Sequence, residues 1–400
     1  MKHLVLDCRE PLERLHTRLA AALSFPDWYG RNLDALYDCL TDLRDPVCLW
    51  LRHPEAAPGL GRVLTDCARE NPAVELRTAP RFMMNITTCD EDLLRYSDSA
   101  DLKGFFGGFG LDGLEVLEAG TDTRRLIDPA DVVGVHLRYF SAWMDLWQGD
   151  EKRLLAEFSS RENWERTFGG PDRTALIEAY RANLRFANTL DPDYLVFHVS
   201  DCSMEESMLR RYHYAPAQVC DAAAQLLNAV TGEIGGQPWL LLENLWYPGL
   251  TMEDPEVTRR LLDSVEYPKT GVMLDLGHLV HTNMELETVD QALDHLHRIL
   301  DRYEDLSFVK GVHLHLSLSG AYARNLARTW QPQGETYSEQ LWAVMTHIFR
   351  IDTHRPFLSH RVWELLRRLP ALEFLCLEQI SADREEHAGY LKAQMTALMD

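Results

Sequence analysis

The chain has 400 residues, with 40 Lys and Arg against 62 Asp and Glu, giving a formal charge of -22. A duplex phosphate backbone repels such a surface, so a general nucleic-acid binder is excluded as a first expectation. With 46% apolar residues, 26% charged residues and 10 Trp, the composition is that of a globular protein rather than a disordered or fibrous one, and the length suits one small domain plus one barrel-sized unit.

The first residues, MKHLVLDCREPLERL, are broken by Asp7, Arg9, Glu10 and Glu13 before a signal-peptide core can form. No window approaches 18 uninterrupted apolar residues, so no membrane association is expected. The eight cysteines form no C-x-x-C pair and read as buried thiols of a reducing, cytoplasmic setting. Residues 1–80 hold 10 basic and 12 acidic residues. The remaining 30 and 50 make the division -2 against -20, and the boundary is placed at Pro80, giving parts 1–80 and 81–400.

In chain order, the first part predicts a strand at HLVL and a helix from about 10 to 23 with Leu12, Leu15, Leu19 and Leu23 at helical spacing. A turn at SFPDWYG follows, then a helix through NLDALYDCLTDL, a strand CLWLR, a helix near 59–71 and a strand AVELR. The stretch LHTRLAAALSFPDWYGRNLDALYDCLTDL resembles the signature of barstar, the small ribonuclease-inhibitor fold. That resemblance implies an acidic protein-docking face at Tyr29, Asp34 and Asp38, on a module that inhibits a ribonuclease or serves as a scaffold. A peptide or protein partner is expected through it.

The second part alternates strand and helix. Eight apolar strands are predicted at 82–88, 113–119, 132–137, 194–199, 239–244, 270–276, 309–316 and 373–379, with amphipathic helices between them. The pattern predicts an α/β fold, a parallel (β/α)8 TIM barrel preceded by the small barstar-like α/β domain. The longest insertion, 138–170, follows the third barrel strand, and its Trp143 and Trp147 read either as a lid or as a helix packed on the rim.

Ionisable residues sit where the apolar runs end: His136, His198, Glu243, Asp275 with His278, His313 with His315, and Glu378. Burying carboxylates there is expensive unless a divalent cation compensates them, and imidazole with carboxylate suits Zn, Mn, Co or Fe. His315 is set aside on the reading that alternating strand positions face opposite ways. His281, His295, His297, His347, His354, His360 and His387 fall on predicted helices or loops and read as surface residues. Asn85, Arg138 and Asn244 are the expected substrate-binding groups.

These strand ends resemble the xylose isomerase-like superfamily, which contains sugar isomerases and epimerases and the endonuclease IV group. The resemblance implies a metal quartet of Glu243, Asp275, His313 and Glu378, with Glu243 and Glu378 as catalytic acid–base groups. It also implies a further ion on His136, His198 and Glu243, and places His278 at a third ion together with an Asp-x-His pair. No such pair is found after the seventh strand, where HLHLSLSG offers only His315, so the third ion is the least supported of the three. One to three ions are thus allowed. The leading expectation is isomerase or epimerase chemistry on a small, sugar-like substrate, and the alternative is a multinuclear phosphoester hydrolase or an iron-dependent peptide-modifying oxidase.

Overall fold

The computed structural model describes residues 1–119, 126–331 and 334–399. The chain divides into two units. One comprises Met1–Arg81 together with Ser359–Arg367 and the stretch beginning at Met395; the other comprises Phe82–Leu358 and Arg368–Gln394.

The first unit is a three-stranded parallel sheet in the order β1-β2-β3, formed by β1 (Lys2–Asp7), β2 (Val47–Arg52) and β3 (Val74–Thr78), with α1 (Leu12–Leu23), α2 (Leu33–Thr41) and α3 (Pro58–Glu70) packed on it. Every residue of β2, VCLWLR, is buried, as a central parallel strand requires. Leu15 and Leu19 of α1 and Leu36 and Leu40 of α2 meet Leu49 and Leu64 in one core. The Asn32 side chain accepts from Ala35 N at 2.8 Å and so caps α2.

The C-terminal pieces of this unit lie outside the 1–80 boundary drawn from the sequence, and specific contacts hold them. The Trp363 ring lies 4.7 Å from that of Trp50, Trp363 Nε1 donates to Leu398 O at 2.8 Å, and Arg367 pairs with Glu75 at 2.6 Å. Joining residues so distant in sequence takes large apolar groups such as these, and Trp50 and Trp363 are both fully buried.

The second unit is a closed barrel of eight strands in the order β10-β11-β4-β5-β6-β7-β8-β9. The strands are β4 (Arg81–Thr87), β5 (Gly113–Leu117), β6 (Val132–His136), β7 (Tyr194–His198), β8 (Trp239–Glu243), β9 (Thr270–Asp275), β10 (Val309–His313) and β11 (Phe374–Leu377). All eight fall where the apolar runs predict them. Met83, Val133, Val196, Leu241, Met273 and Phe374 are among the residues that fill the interior, so the barrel is a packed core whose polar groups gather at its C-terminal mouth. No helix among the described residues is long and apolar enough to cross a membrane.

The insertion after β6 forms three short helices, Trp143–Gln148, Glu151–Phe158 and Arg161–Phe168. Trp143 is buried and its Nε1 donates to Ser200 O at 2.8 Å. Of the two readings of this segment, a helix packed on the rim is the one the contacts favour.

Candidate metal centre

Five of the strands end on a group that faces a common space: His136 closes β6, His198 β7, Glu243 β8, Asp275 β9 and His313 β10. Glu378 follows β11 directly, and Asp275 caps the short helix Leu276–Val280 by accepting from His278 N at 2.6 Å, which brings His278 back over the mouth. The parallel register sets His198 beside Glu243 and Asp275 beside His313.

Four groups of donor atoms result, each with its atoms within 4.8 Å of one another: His136, His198 and Glu243; Glu243, Asp275, His313 and Glu378; His278, His315, Asp352 and His354; and Glu115, His313 and Cys376. Glu243 belongs to the first two. Its Oε2 lies 2.9 Å from His136 Nε2 and 2.8 Å from His198 Nε2, and its Oε1 lies 3.1 Å from His313 Nδ1. His313 Nδ1 is also 3.1 Å from Glu378 Oε2 and 3.6 Å from Asp275 Oδ2. In the third group, Asp352 Oδ2 stands 2.9 Å from His354 Nε2 and 3.4 Å from His278 Nε2. His315 reaches Asp275 Oδ2 at 2.9 Å and stacks on His354 with centroids 3.9 Å apart.

Proton positions test whether these residues fit a cation. His136 Nδ1 lies 2.8 Å from Leu137 O, His278 Nδ1 3.0 Å from Asn244 O and His354 Nδ1 3.3 Å from Glu378 O. A carbonyl only accepts, so each Nδ1 carries the hydrogen. In the neutral ring, each Nε2 therefore aims a lone pair at a carboxylate oxygen, an arrangement that needs a positive charge between the two. His198 Nε2 and Glu378 Oε2 are buried with no hydrogen-bond partner, although each lies within 3.1 Å of an oppositely charged or chargeable atom. The donor set fits divalent ions.

Without ions, protons take their place. Burial pushes the Glu243 carboxyl up, but His198 and His313 hold it well below the ordinary carboxylate range. Burial opposes charge on His313 too, yet Glu115, Glu378 and Glu243 raise it well above an ordinary histidine. Asp352 is likewise held low against its burial by His354 and His278.

The structure departs from several sequence expectations. His315 joins the centre because backbone pairing continues past the end of β10, Leu314 N donating to Cys376 O and Leu316 N to Arg355 O, both at 2.8 Å, so that 313 and 315, two apart, share a face. Gly277 makes room for it, since a Cβ there would stand 2.0 Å from the His315 ring. The Asp-x-His pair expected to be missing is Asp352-Thr353-His354, which follows the helix Tyr337–Ile351 rather than the seventh barrel strand directly. His281, His295, His347, His354 and His387 are buried, not superficial. Asn244 is not free for substrate, because its Nδ2 donates to Asp275 O at 3.0 Å and its Oδ1 accepts from Asp275 N at 2.9 Å. Arg138 is exposed and turns to Glu118 at 3.5 Å, outside the cavity.

Asn85 does line the cavity of about 420 Å³ over the centre, with His136, His198, His278, Asp352, His354 and Glu378. In the first unit Asp34 and Asp38 are exposed on α2, whereas Tyr29 is buried, with its hydroxyl on His16 Nδ1 and its ring 4.9 Å from Phe25. The exposed aromatic of that loop is Trp28, 71% accessible.

Fold and site together define a (β/α)8 barrel with a histidine–carboxylate centre at its mouth, carrying a small α/β module. Residues 1–62 match the family model described as Barstar (barnase inhibitor). Over 58 residues the chain is 50% identical to YrdF of Bacillus subtilis (strain 168), described as a candidate ribonuclease inhibitor; the match takes in 14% of this chain and spans 64% of that protein's length. Among solved structures, the chain is similar to an L-ribulose 3-epimerase (12% identity, 80% of this chain and 92% of that one, TM-score 0.39). It is also similar to the IOLI protein with a bound zinc atom (11%, 80% and 95%, TM-score 0.39). A third is a D-psicose 3-epimerase in the presence of D-fructose (11%, 80% and 96%, TM-score 0.40).

Proposed function

We propose that the barrel is a multinuclear metal-dependent enzyme acting on an uncharged polar group of a small or peptide substrate. The observation that carries this reading is the third donor group: Asp352 and His354 stand with His278 and His315 against the two groups that share Glu243. Bound ions would supply Lewis-acid or, with iron, redox chemistry to a substrate held in the cavity.

A two-glutamate proton shuttle of the epimerase type, the leading expectation from sequence, needs both carboxylates facing the substrate. Of the two, only Glu378 lines the cavity; Glu243 is fully buried with its oxygens turned to four histidines. Of these two glutamates, Glu378 is therefore the one placed to hold a substrate proton. Among the described residues, the charged groups lining the rest of the wall are Glu115 and the pair of Asp92 with Arg95, 3.3 Å apart, in which Arg95 also donates to Ser381. Tyr96 Oη, both amide atoms of Gln379 and His387 Nε2 are buried without a hydrogen-bond partner, and burial lowers His387 to about 4, which keeps it uncharged at neutral pH. Phe349 and Ile380 at the rim add apolar surface. With its one cation already paired, this wall suits hydroxyl, amide or carbonyl groups better than a phosphate dianion, which disfavours phosphoester hydrolysis.

Metal identity and number test the reading. Two or three equivalents of a redox-active metal per chain support it. One colourless equivalent, with full activity retained in Asp352→Asn, would return the assignment to a mononuclear isomerase. For the first unit we propose protein docking through Trp28, Asp34 and Asp38. A pull-down with a barnase-type ribonuclease tests the inhibitor form of this docking, and no capture at micromolar concentration removes that form.

A further inference from the structure

One buried carboxylate in the barrel belongs neither to the sequence-predicted set nor to the roles above. Glu115, on β5, is 2% exposed, and a single oxygen of it, Oε2, receives two groups. Tyr194 Oη donates to it at 2.6 Å and His313 Nε2 lies 3.1 Å away. Burial pushes the Tyr194 hydroxyl well above an ordinary phenol, so it remains a donor, and the carboxylate can only accept. The hydrogen between His313 and Glu115 therefore sits on Nε2.

That assignment decides what His313 offers on its other side. With Nε2 protonated, the neutral ring has a bare lone pair at Nδ1, the atom facing Glu243, Glu378 and Asp275 at 3.1, 3.1 and 3.6 Å. The other centre histidines with a defined tautomer, His136, His278 and His354, give their second nitrogen to a backbone carbonyl. Of these four, His313 alone gives it to a side chain, so a single substitution can alter the partner of this ring.

The barrel also makes space for the arrangement. A Cβ at Gly134 would stand 2.2 Å from Tyr194 Cζ and 2.6 Å from its hydroxyl, so only glycine lets the phenol reach across from β7. The Tyr194 ring packs on Phe374 with centroids 4.5 Å apart. Three strands thus contribute to placing one hydroxyl on one carboxylate.

We propose that Glu115, held by Tyr194, is a positioning residue that fixes the tautomer and ring orientation of His313 and so sets the metal affinity of the Glu243–Asp275–Glu378 group. The proposal rests on the reading of that group as a metal site. Carboxylates in this position raise the basicity of a ligating imidazole, and their loss lowers metal affinity by about 10- to 100-fold. In Glu115→Gln, an amide oxygen in the place of Oε2 still accepts from both Tyr194 and His313, so the tautomer is kept, but the negative charge that raises the basicity of His313 is lost.

The experiment is a Zn(II) titration of the full chain, stripped of metal and competed with a chromophoric chelator, on the wild type, Glu115→Gln and Tyr194→Phe. Circular dichroism and the metal-free unfolding midpoint serve as controls for the fold. The expected result is that Glu115→Gln weakens one equivalent by about 10- to 100-fold and leaves the others within about twofold, with Tyr194→Phe weakening the same equivalent by a smaller factor. A merely structural role would lower the metal-free midpoint and spare the affinity. Wild-type affinity in a folded Glu115→Gln overturns the proposal; if that variant does not fold, wild-type affinity in Tyr194→Phe overturns it and a selective loss upholds it. Absence of any bound Zn(II) in the wild type instead overturns the metal reading beneath both.

Discussion

Two clusters of buried acid lie in the same barrel unit and are neutralised in opposite ways. At the mouth, Glu243, Asp275, Glu378 and Asp352 face six imidazoles and, among the described residues, no arginine or lysine, with nitrogen lone pairs aimed at oxygen. Beside the rim helices, Asp145, Glu157, Asp201 and Glu206 are served by ordinary donors. Asp145 accepts from Arg153 at 2.7 Å and Tyr214 Oη at 2.7 Å; Glu157 accepts from Met204 N, Asp201 from Met144 N and Glu206 from His213 N. Where those donors fall short, protons neutralise part of the remaining charge near neutral pH, because burial lifts both Glu157 and Asp201 to about 7. Acidic residues alone do not mark a metal site. What separates the two clusters is the partner chemistry, imidazole in one and guanidinium, backbone amide and proton in the other.

Breaking the shared carboxylate has the largest expected effect. Glu243→Gln removes an oxygen from two donor groups at once, so it loses at least two ions by elemental analysis. With ions at 100 to 1,000 times their dissociation constant, metal binding stabilises the wild type by about 3–4 kcal/mol, and that increment disappears in the variant's thermal unfolding with and without chelator.

Asp352→Asn acts on the third group alone. It is expected to lose one equivalent while retaining those held through Glu243, and elemental analysis checks the difference.

The rim cluster answers to pH instead of metal. Glu157 is raised in the folded chain above its ordinary value of 4.5, so the stability it confers is complete below about pH 4.5 and is lost as pH rises through about 7. Between pH 6 and 8 this costs roughly 1 kcal/mol. Urea unfolding of Glu157→Gln should lack that part of the decline, with metal content unchanged. If Glu157→Gln also lost metal, the two clusters would not be separate.

The smallest effect is expected in the first unit. Asp34→Ala and Asp38→Ala alter exposed positions on α2 and should shift unfolding by no more than about 0.5 kcal/mol, leaving metal content intact.

The barrel and most of its centre are legible in the sequence because apolar strands that end on His, Glu or Asp announce buried charge, as WLLLE and GVMLD do. His354 and Asp352 carry no such mark. They follow the helix Tyr337–Ile351, and only the D-x-H spacing after that helix points to them. Chain position alone suggests Asn244 and Arg138 as substrate groups, but whether a polar side chain is free depends on partners such as Asp275 and Glu118 that only the fold brings near. Tyr29 sits in a motif suggestive of docking, yet its ring closes the loop onto His16 and Phe25, so burial rather than residue type decides its role.

Elemental analysis of the full chain, purified without chelator and again after reconstitution with Fe(II), Mn(II) or Zn(II), tests the central claim most directly. Two or three tightly held equivalents per chain, falling by at least two in Glu243→Gln, are predicted. A chain that binds none of these ions and gains no thermal stability from them would contradict the account.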